Sequence, residues 1–445
     1  MKPSFSLYVL AYFAGVLSFA SGAMALPSYA RQTGLACNGC HTTAPELNNA
    51  GRLFKLMGYI DRAQNKSITA EPDSRRAPLN MLESLPLSAF FEASMTGTKK
   101  PQTGTQNWNN QFPQDISLFL AGAWATHLGS FVQVTYEVQD DHFTMDNTEI
   151  RYANKTKFSG KELVYGLTLN NNPTLEDLWN STPAWGYPFV GANGAPSPSA
   201  NPVINGSLAQ DVAGLGGFTM LDQHFYIAGT LYRSDHVGDA QPTTGTCCTH
   251  NIQGAAPYWR VAYQQTGRTN MLEFGAYGIH MKSTPGGVTG AEDSYTDFGP
   301  DIEYDRTIGK DVVSLRGTYI RENDALLGGV AAGTANPGAH HLNEANANVA
   351  YHYGNRASGT LGWFNVHGTV DSLLYPQAAV SGSANGDPRS AGYSANISYW
   401  PIQNLDLAVQ YTDYTRFNGG TTNYDGAGRN ASDNNTVYLV ARFVF

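Results

Sequence analysis

Thr436-Val437-Tyr438-Leu439-Val440-Ala441-Arg442-Phe443-Val444-Phe445 ends the chain on a strict alternation. Val437, Leu439, Ala441, Phe443 and Phe445 make one apolar face, while Thr436, Tyr438, Val440 and Arg442 interleave on the other, with the two-residue period of a strand. Leu405, Leu407, Val409 and Tyr411 oppose Asp406, Ala408, Gln410 and Thr412 in the same way. Val313, Leu315 and Tyr319 stand against Ser314, Arg316 and Thr318, and Ala345, Ala347, Val349 and Tyr351 against Glu344, Asn346, Asn348 and His352. A soluble two-sheet sandwich alternates too. The number of segments decides: from Leu85 to Phe445 there are about sixteen, each about ten residues long, the even count and length of an antiparallel outer-membrane β-barrel. They fall near 85–96, 114–128, 131–140, 144–155, 161–170, 211–222, 224–234, 257–266, 269–283, 296–307, 311–322, 342–354, 357–369, 390–400, 405–416 and 435–445.

Composition agrees with a mainly β chain at a membrane. Charged residues are 14%, against roughly a quarter in ordinary globular chains, and 47 Gly and 25 Tyr accompany short segments cut by Gly, Asn, Asp and Pro. A net charge of -9 argues against nucleic acid as a partner, and the barrel reading makes outer-membrane lipid the expected surroundings. A last strand closing on Phe445 resembles the C-terminal signal of bacterial outer-membrane barrels. Short connections such as Arg306 to Asp311 and Pro401 to Leu405 read as periplasmic turns, and 171–210 and 235–256 as external loops.

The head of the chain has a different character. Lys2, the apolar run Leu7 to Phe19 and the small-x-small Ala23-Met24-Ala25 read as an export signal over residues 1–25, with the mature chain expected to begin at Leu26. The run is shorter than the roughly 20 residues of a spanning helix. Cys37-Asn38-Gly39-Cys40-His41 then supplies C-x-x-C-H, in which two thiols add to the vinyl groups of one haem and the histidine binds its iron. A half zinc site or a redox C-x-x-C shares that spacing, but no second C-x-x-C and no βαβ pattern accompanies it. Covalent haem c, one per chain, is the expected cofactor. Residues 26–84, a small α-type monohaem cytochrome c domain with a linker marked by Pro72, Arg75, Arg76 and Pro78, are too few to wrap a haem alone. A plug in the lumen of the barrel 85–445 supplies the missing walls, since barrels of about sixteen strands leave an open interior. A cytochrome tethered freely in the periplasm is the alternative.

Pro27-Ser28-Tyr29-Ala30-Arg31-Gln32-Thr33-Gly34, the haem motif, Pro45-Glu46-Leu47 and Gly51-Arg52-Leu53-Phe54-Lys55-Leu56-Met57-Gly58-Tyr59 together resemble the head of the fused monohaem cytochrome-porins of iron-oxidising bacteria. The resemblance is specific over about residues 27–60 and extends in architecture to the whole chain. It implies a small haem-c domain joined to an outer-membrane barrel and electrons taken from extracellular Fe(II), an Fe(II) oxidase activity. Similar heads occur on barrels of unknown substrate, so the likeness speaks for electron transfer more firmly than for iron.

Met57, the first methionine after His41, is the candidate second axial ligand, because a Met/His pair raises the potential; packing against the haem edge is its plain alternative. Met81, Met95, His127, His224 and His352 are further candidates. Asp301, Glu303 and Asp305, with Asp297, share one strand face opposite Phe298, Ile302 and Tyr304, an acidic lumen ladder that would attract a divalent cation such as Fe(II). Glu137, Glu149, Glu273, Glu344 and Asp406 also fall on polar faces, and inward Arg151, Arg260 and Arg316 offer them simple pairing. Cys247-Cys248-Thr249-His250 reads as an incidental pair in a loop. The expected function is single-electron transfer through haem c from an extracellular donor to a periplasmic cytochrome c. A diffusion porin with a gating or sensing haem domain is the alternative from another class, and electron export to external acceptors reverses the flow.

Overall fold

The computed structural model describes residues 26–61, 67–69, 80–82, 85–138, 141–189, 191–192, 194–237, 250–285 and 287–445. The export signal, the prolines and arginines of the linker, and Cys247 with Cys248 lie outside them.

The N-terminal segment carries helix α1 (Pro27–Thr33), strands β1 (His41–Thr43) and β2 (Glu46–Leu47), helix α2 (Asn49–Leu56), and the short pair β3 (Ser67–Thr69) and β4 (Asn80–Leu82). The barrel follows: β5 (Leu87–Thr98), β6 (Asn109–Ala125), β7 (Leu128–Glu137), β8 (His142–Phe158), β9 (Lys161–Asn170), β10 (Val212–Leu221), β11 (Phe225–Ser234), the two-residue β12 (Asn251–Ile252), β13 (Ala256–Thr266), β14 (Asn270–Thr284), β15 (Asp293–Ile308), β16 (Asp311–Leu326), β17 (His340–Tyr353), β18 (Ala357–Gly368), β19 (Ser390–Ile402), β20 (Leu405–Arg416) and β21 (Thr436–Val444). Setting β12 aside, these are sixteen long strands, each antiparallel to its neighbours, in one closed sheet. β21 closes on β5, pairing Val440 with Ser94 and Val444 with Phe90. Each long strand coincides with one of the segments read from the sequence.

Alternation fixes which way each strand faces. On β15, Phe298 and Ile302 are each 48% exposed on the outside, while Asp297, Asp301 and Glu303 are buried within. On β16, Leu315 and Tyr319 face out and Ser314 and Arg316 face in. A closed wall of outward Leu, Ile, Val, Phe and Tyr of this extent suits a bilayer rather than water, and closure leaves no unpaired strand edge. The chain is an outer-membrane barrel.

Two segments fill the lumen. The first is the N-terminal plug, from Pro27 to Tyr59. The second corrects an expectation: the segment read as the external loop 171–210 hangs from the end of the long loops, but its described residues fold back into the barrel, where Leu175, Glu176, Asp177 and Trp179 have no exposure. Charge pairing drives this return. Arg260 of β13, itself fully buried, meets Asp177 at 3.0 Å, and Arg151 of β8 donates to the Glu176 carbonyl at 2.8 Å.

Candidate functional site

A one-turn 3-10 helix over Cys37–Gly39 bends the chain at the haem motif, so that Cys40 N–H returns to the Cys37 carbonyl at 3.0 Å. Asn48 binds this turn to α2. Its side chain accepts from Gly51 N–H at 3.1 Å, capping the helix, and donates to the Asn38 and Gly39 carbonyls. The helix crosses so closely that a Cβ on Gly51 would lie 2.2 Å from the Cys40 oxygen, which only glycine avoids. Cys37 and Cys40 are free thiols; burial pushes Cys37 up to about 12 and raises Cys40 as well.

His41 is oriented by the hairpin that follows it. Its Nδ1 lies 3.1 Å from the Glu46 carbonyl, an arrangement that spends Nδ1–H on the backbone and leaves the Nε2 lone pair for a metal. Burial pulls the imidazole down to about 4, so the ring is neutral at pH 7, the form that ligates. Cys40 and His41 open onto a cavity of about 560 Å³, within the usual range for cofactor sites. Leu47 and Phe54 of the plug, Phe119 and Phe131 of the wall, and Trp185 of the inward loop line it. Cys37 borders a small adjoining cleft with His41, Trp400 and Gln403, at the mouth where the short turns lie. Two thiols, a neutral imidazole with a free nitrogen and an aromatic chamber fit a haem c. They do not fit zinc, since no cluster of three or more His, Cys, Asp or Glu suited to a metal occurs among the described residues.

The barrel grips this motif through Glu46. Its carboxylate pairs with Arg316, lies 3.1 Å from His352 Nε2 and accepts from Thr42 at 3.2 Å. Burial by itself would raise the Glu46 carboxyl; Arg316 first, then His352 and Thr42, hold it down to about 2. Thr43 Oγ1 sits 2.8 Å from His352 Nδ1. Further along, Lys55 Nζ donates to the Leu175 carbonyl at 2.8 Å, the Asp177 carbonyl at 2.6 Å and Asn180 Oδ1 at 3.0 Å, and lies 4.5 Å from the centre of the Trp185 ring. Burial pulls this ammonium down to about 7 against the pull of Glu149. Tyr59 donates to Glu149, and Gly129 lets the wall approach the plug, since a Cβ there would meet the Gly58 carbonyl at 2.1 Å.

Met57 is placed elsewhere. It packs beside Leu53 against the wall cluster that includes Ala153, Val164 and Phe218, and is not among the residues lining the chamber. His127 and His224 bond to the Ala153 and Gln264 carbonyls, His352 serves Glu46, and half-buried Met95 sits on β5 between inward Ser94 and Thr96. Among the described residues no methionine and no second histidine lines the chamber.

The acidic ladder does face the lumen; Asp301, Glu303 and Asp305 each lie beside an arginine, whereas Asp297 accepts from Ile204 N–H at 2.8 Å. Asp301 is held by both terminal nitrogens of Arg260 at 2.9 Å, Glu303 by Arg316 at 2.7 Å, and Asp305 lies 3.6 Å from Arg52 of the plug. These acids make the simple pairing that Arg260 and Arg316 offered, and they dock the plug through Arg52 and the inward loop through Ser181. Arg52, Lys55 and Glu46 escaped the sequence reading as functional residues, although each lies within the stretches that carried the resemblance.

No family model matches this chain, and no curated protein does. Among solved structures it is similar to Pseudomonas putida OprB (11% identity, TM-score 0.49, covering 81% of this chain and 94% of that one). It is also similar to the anion-selective porin from Comamonas acidovorans (12%, TM-score 0.47, 81% and 98%). The outer membrane channel DcaP of Acinetobacter baumannii is a third (12%, TM-score 0.45, 81% and 96%).

Proposed function

We propose that this barrel is an outer-membrane electron-transfer protein carrying one haem c, attached through Cys37 and Cys40 with His41 as an axial ligand. The observation that carries the reading is the pairing of Cys40 and His41, its Nδ1 already engaged by Glu46, with an aromatic chamber built jointly by plug, wall and inward loop. Bound there, the haem would supply reversible one-electron chemistry. The chain's own residues orient and insulate: Glu46 sets the His41 ring, Phe119, Phe131 and Trp185 exclude water, and Cys37 holds the motif at the short-turn mouth, the side open to a periplasmic cytochrome c. Electrons would enter from an extracellular donor. Fe(II) is the donor that the resemblance of residues 27–60 implies, with no dedicated Fe(II) ligand set assigned to the lumen.

A second reading has its own support. The lumen keeps a further cavity of about 680 Å³ on the long-loop side, and the similar structures include proteins described as porins and an outer membrane channel, which suits a diffusion porin whose haem segment gates or senses. Haem staining after denaturing electrophoresis, together with conductance of the holoprotein in planar bilayers, separates the two. Covalent haem with a closed barrel favours electron transfer; an ohmic channel favours the porin; absence of covalent haem overturns the main reading.

A further inference from the structure

The inward loop is held to the barrel at two places of opposite character. Its entering limb is held by cations, with Arg260 on Asp177 and Arg151 on the Glu176 carbonyl. Its returning limb is held by carboxyls. Val203 N–H donates to Glu322 of β16 and Ile204 N–H to Asp297 of β15 at 2.8 Å. The Asn205 side-chain amide donates to Glu344 of β17 at 2.7 Å and 2.9 Å, so three adjacent strands grip three consecutive residues. Gly206, at φ +92°, turns the chain away just past them, a conformation that favours glycine. Asp297, Glu322 and Glu344 are all buried, and among the described residues no arginine, lysine or histidine forms an ion pair with any of them.

Two of these carboxyls also meet each other. Asp297 and Glu322 are direct cross-strand partners, and their side chains hydrogen-bond. Two ionised carboxylates have no hydrogen to share, so this contact needs one proton between them. The titratable groups around the pair are Asp293 and Tyr295 on β15, Asp324 on β16, Glu344 on β17, Tyr277 on β14 and Tyr375 beyond β18, none of them a cation. Arg321 shares the outer face of β16 with Leu315 and Tyr319, where it donates to Asn323 and Asn343. Removing the proton therefore leaves two like charges side by side in a buried place with no counter-ion. The pair must then part or take in water, and either change disturbs the acceptors of Val203 and Ile204. The apolar side chains of these two residues still pack with Tyr277, Ile279 and Ile320, so the limb loosens without leaving the lumen.

We propose that the returning limb is a proton-operated catch: the proton shared by Asp297 and Glu322 holds residues 203–205 to the wall, and its loss to solvent as pH rises loosens them while the cation-held limb stays docked. Asn205 and Glu344 line the 680 Å³ cavity on the long-loop side, so the catch sets the shape of that cavity's wall. It stands on the barrel and the inward loop alone and holds whether or not the haem reading does. Hydrogen exchange by mass spectrometry on the purified, detergent-solubilised full chain, between about pH 5.5 and about pH 9 and corrected for intrinsic exchange, tests it. Protection of amides 203–208 is expected to fall about tenfold or more across that range, while amides 175–181 of the other limb change less than about threefold. Glu322→Gln keeps an acceptor for Val203 and gives Asp297 a donor that cannot ionise, so amides 203–208 should stay protected at both ends of the range. Asp297→Asn does the same from the other side and carries the test if the first variant fails to assemble. Wild-type protection that is flat with pH, an equal loss in both limbs, or the wild-type pH profile in an assembled variant would overturn the proposal.

Discussion

Replacing Glu46 by Gln should loosen the haem motif from the barrel without opening the barrel itself. Glu46 is 1% exposed and its carboxylate is the centre of a buried cluster with Arg316, His352 and Thr42. Breaking a buried pair by removing one partner costs about 3–5 kcal/mol. The lower end applies, because Arg316 retains Glu303 at 2.7 Å. The acidity gives the same size independently: a carboxyl held from an ordinary 4.5 down to about 2 corresponds to about 3 kcal/mol at ~1.36 kcal/mol per pH unit. That is roughly a hundredfold rise in the population with the hairpin undocked. Hydrogen exchange by mass spectrometry on the assembled protein reads it directly, with protection of amides 40–48 expected to fall about a hundredfold and barrel amides serving as the internal control. The sign with pH follows from the lowered folded value. Stabilisation by Glu46 is complete above about pH 4.5 and is lost as pH falls towards about 2, so wild-type protection, corrected for intrinsic exchange, should decline over that window. Glu46→Gln should be flat across it. Protection within threefold of wild type in the variant, or the same acid profile in both proteins, would refute the argument that this carboxylate holds the motif.

Cys37→Ala with Cys40→Ala should abolish covalent haem while the barrel still assembles, because the β21–β5 closure uses no plug residue; haem staining and heat-modifiable mobility check the two halves. Met57→Ala should leave the haem spectrum and midpoint potential unchanged and cost about 1–3 kcal/mol of packing, since Met57 lies against Ala153 and Val164; a shifted potential would return it to the list of ligands. Arg260→Ala strands Asp177, Glu273 and Asp301 together in the lumen, at a cost of about 3–5 kcal/mol, and should release the inward loop, read as raised single-channel conductance in planar bilayers.

The two-residue period of Val313 to Tyr319, Ala345 to Tyr351 and Val437 to Phe445 was enough to place every long strand, because a barrel strand is bounded by lipid on one side and the lumen on the other, and each side selects its residue types position by position. C-x-x-C-H is a local signal of the same kind, since the haem attachment proposed for it needs that spacing within a single turn. The inward path of the described residues of 171–210 was not legible, because their polar composition suits an external loop equally well, and only the meeting of Asp177 with Arg260, more than eighty residues away in sequence, makes burial favourable. The direction of Met57 was not legible either: proximity along the chain to His41 leaves ligation and packing equally open, and the turn after α2 packs it against the wall. The lumen acids were assigned to the correct face, yet their role was set by the arginines that the folded plug and the neighbouring strands bring to them. Periodicity and covalent spacing are local properties that a sequence states outright. Which charge meets which is a property of the closed barrel, and only the tertiary structure decides it.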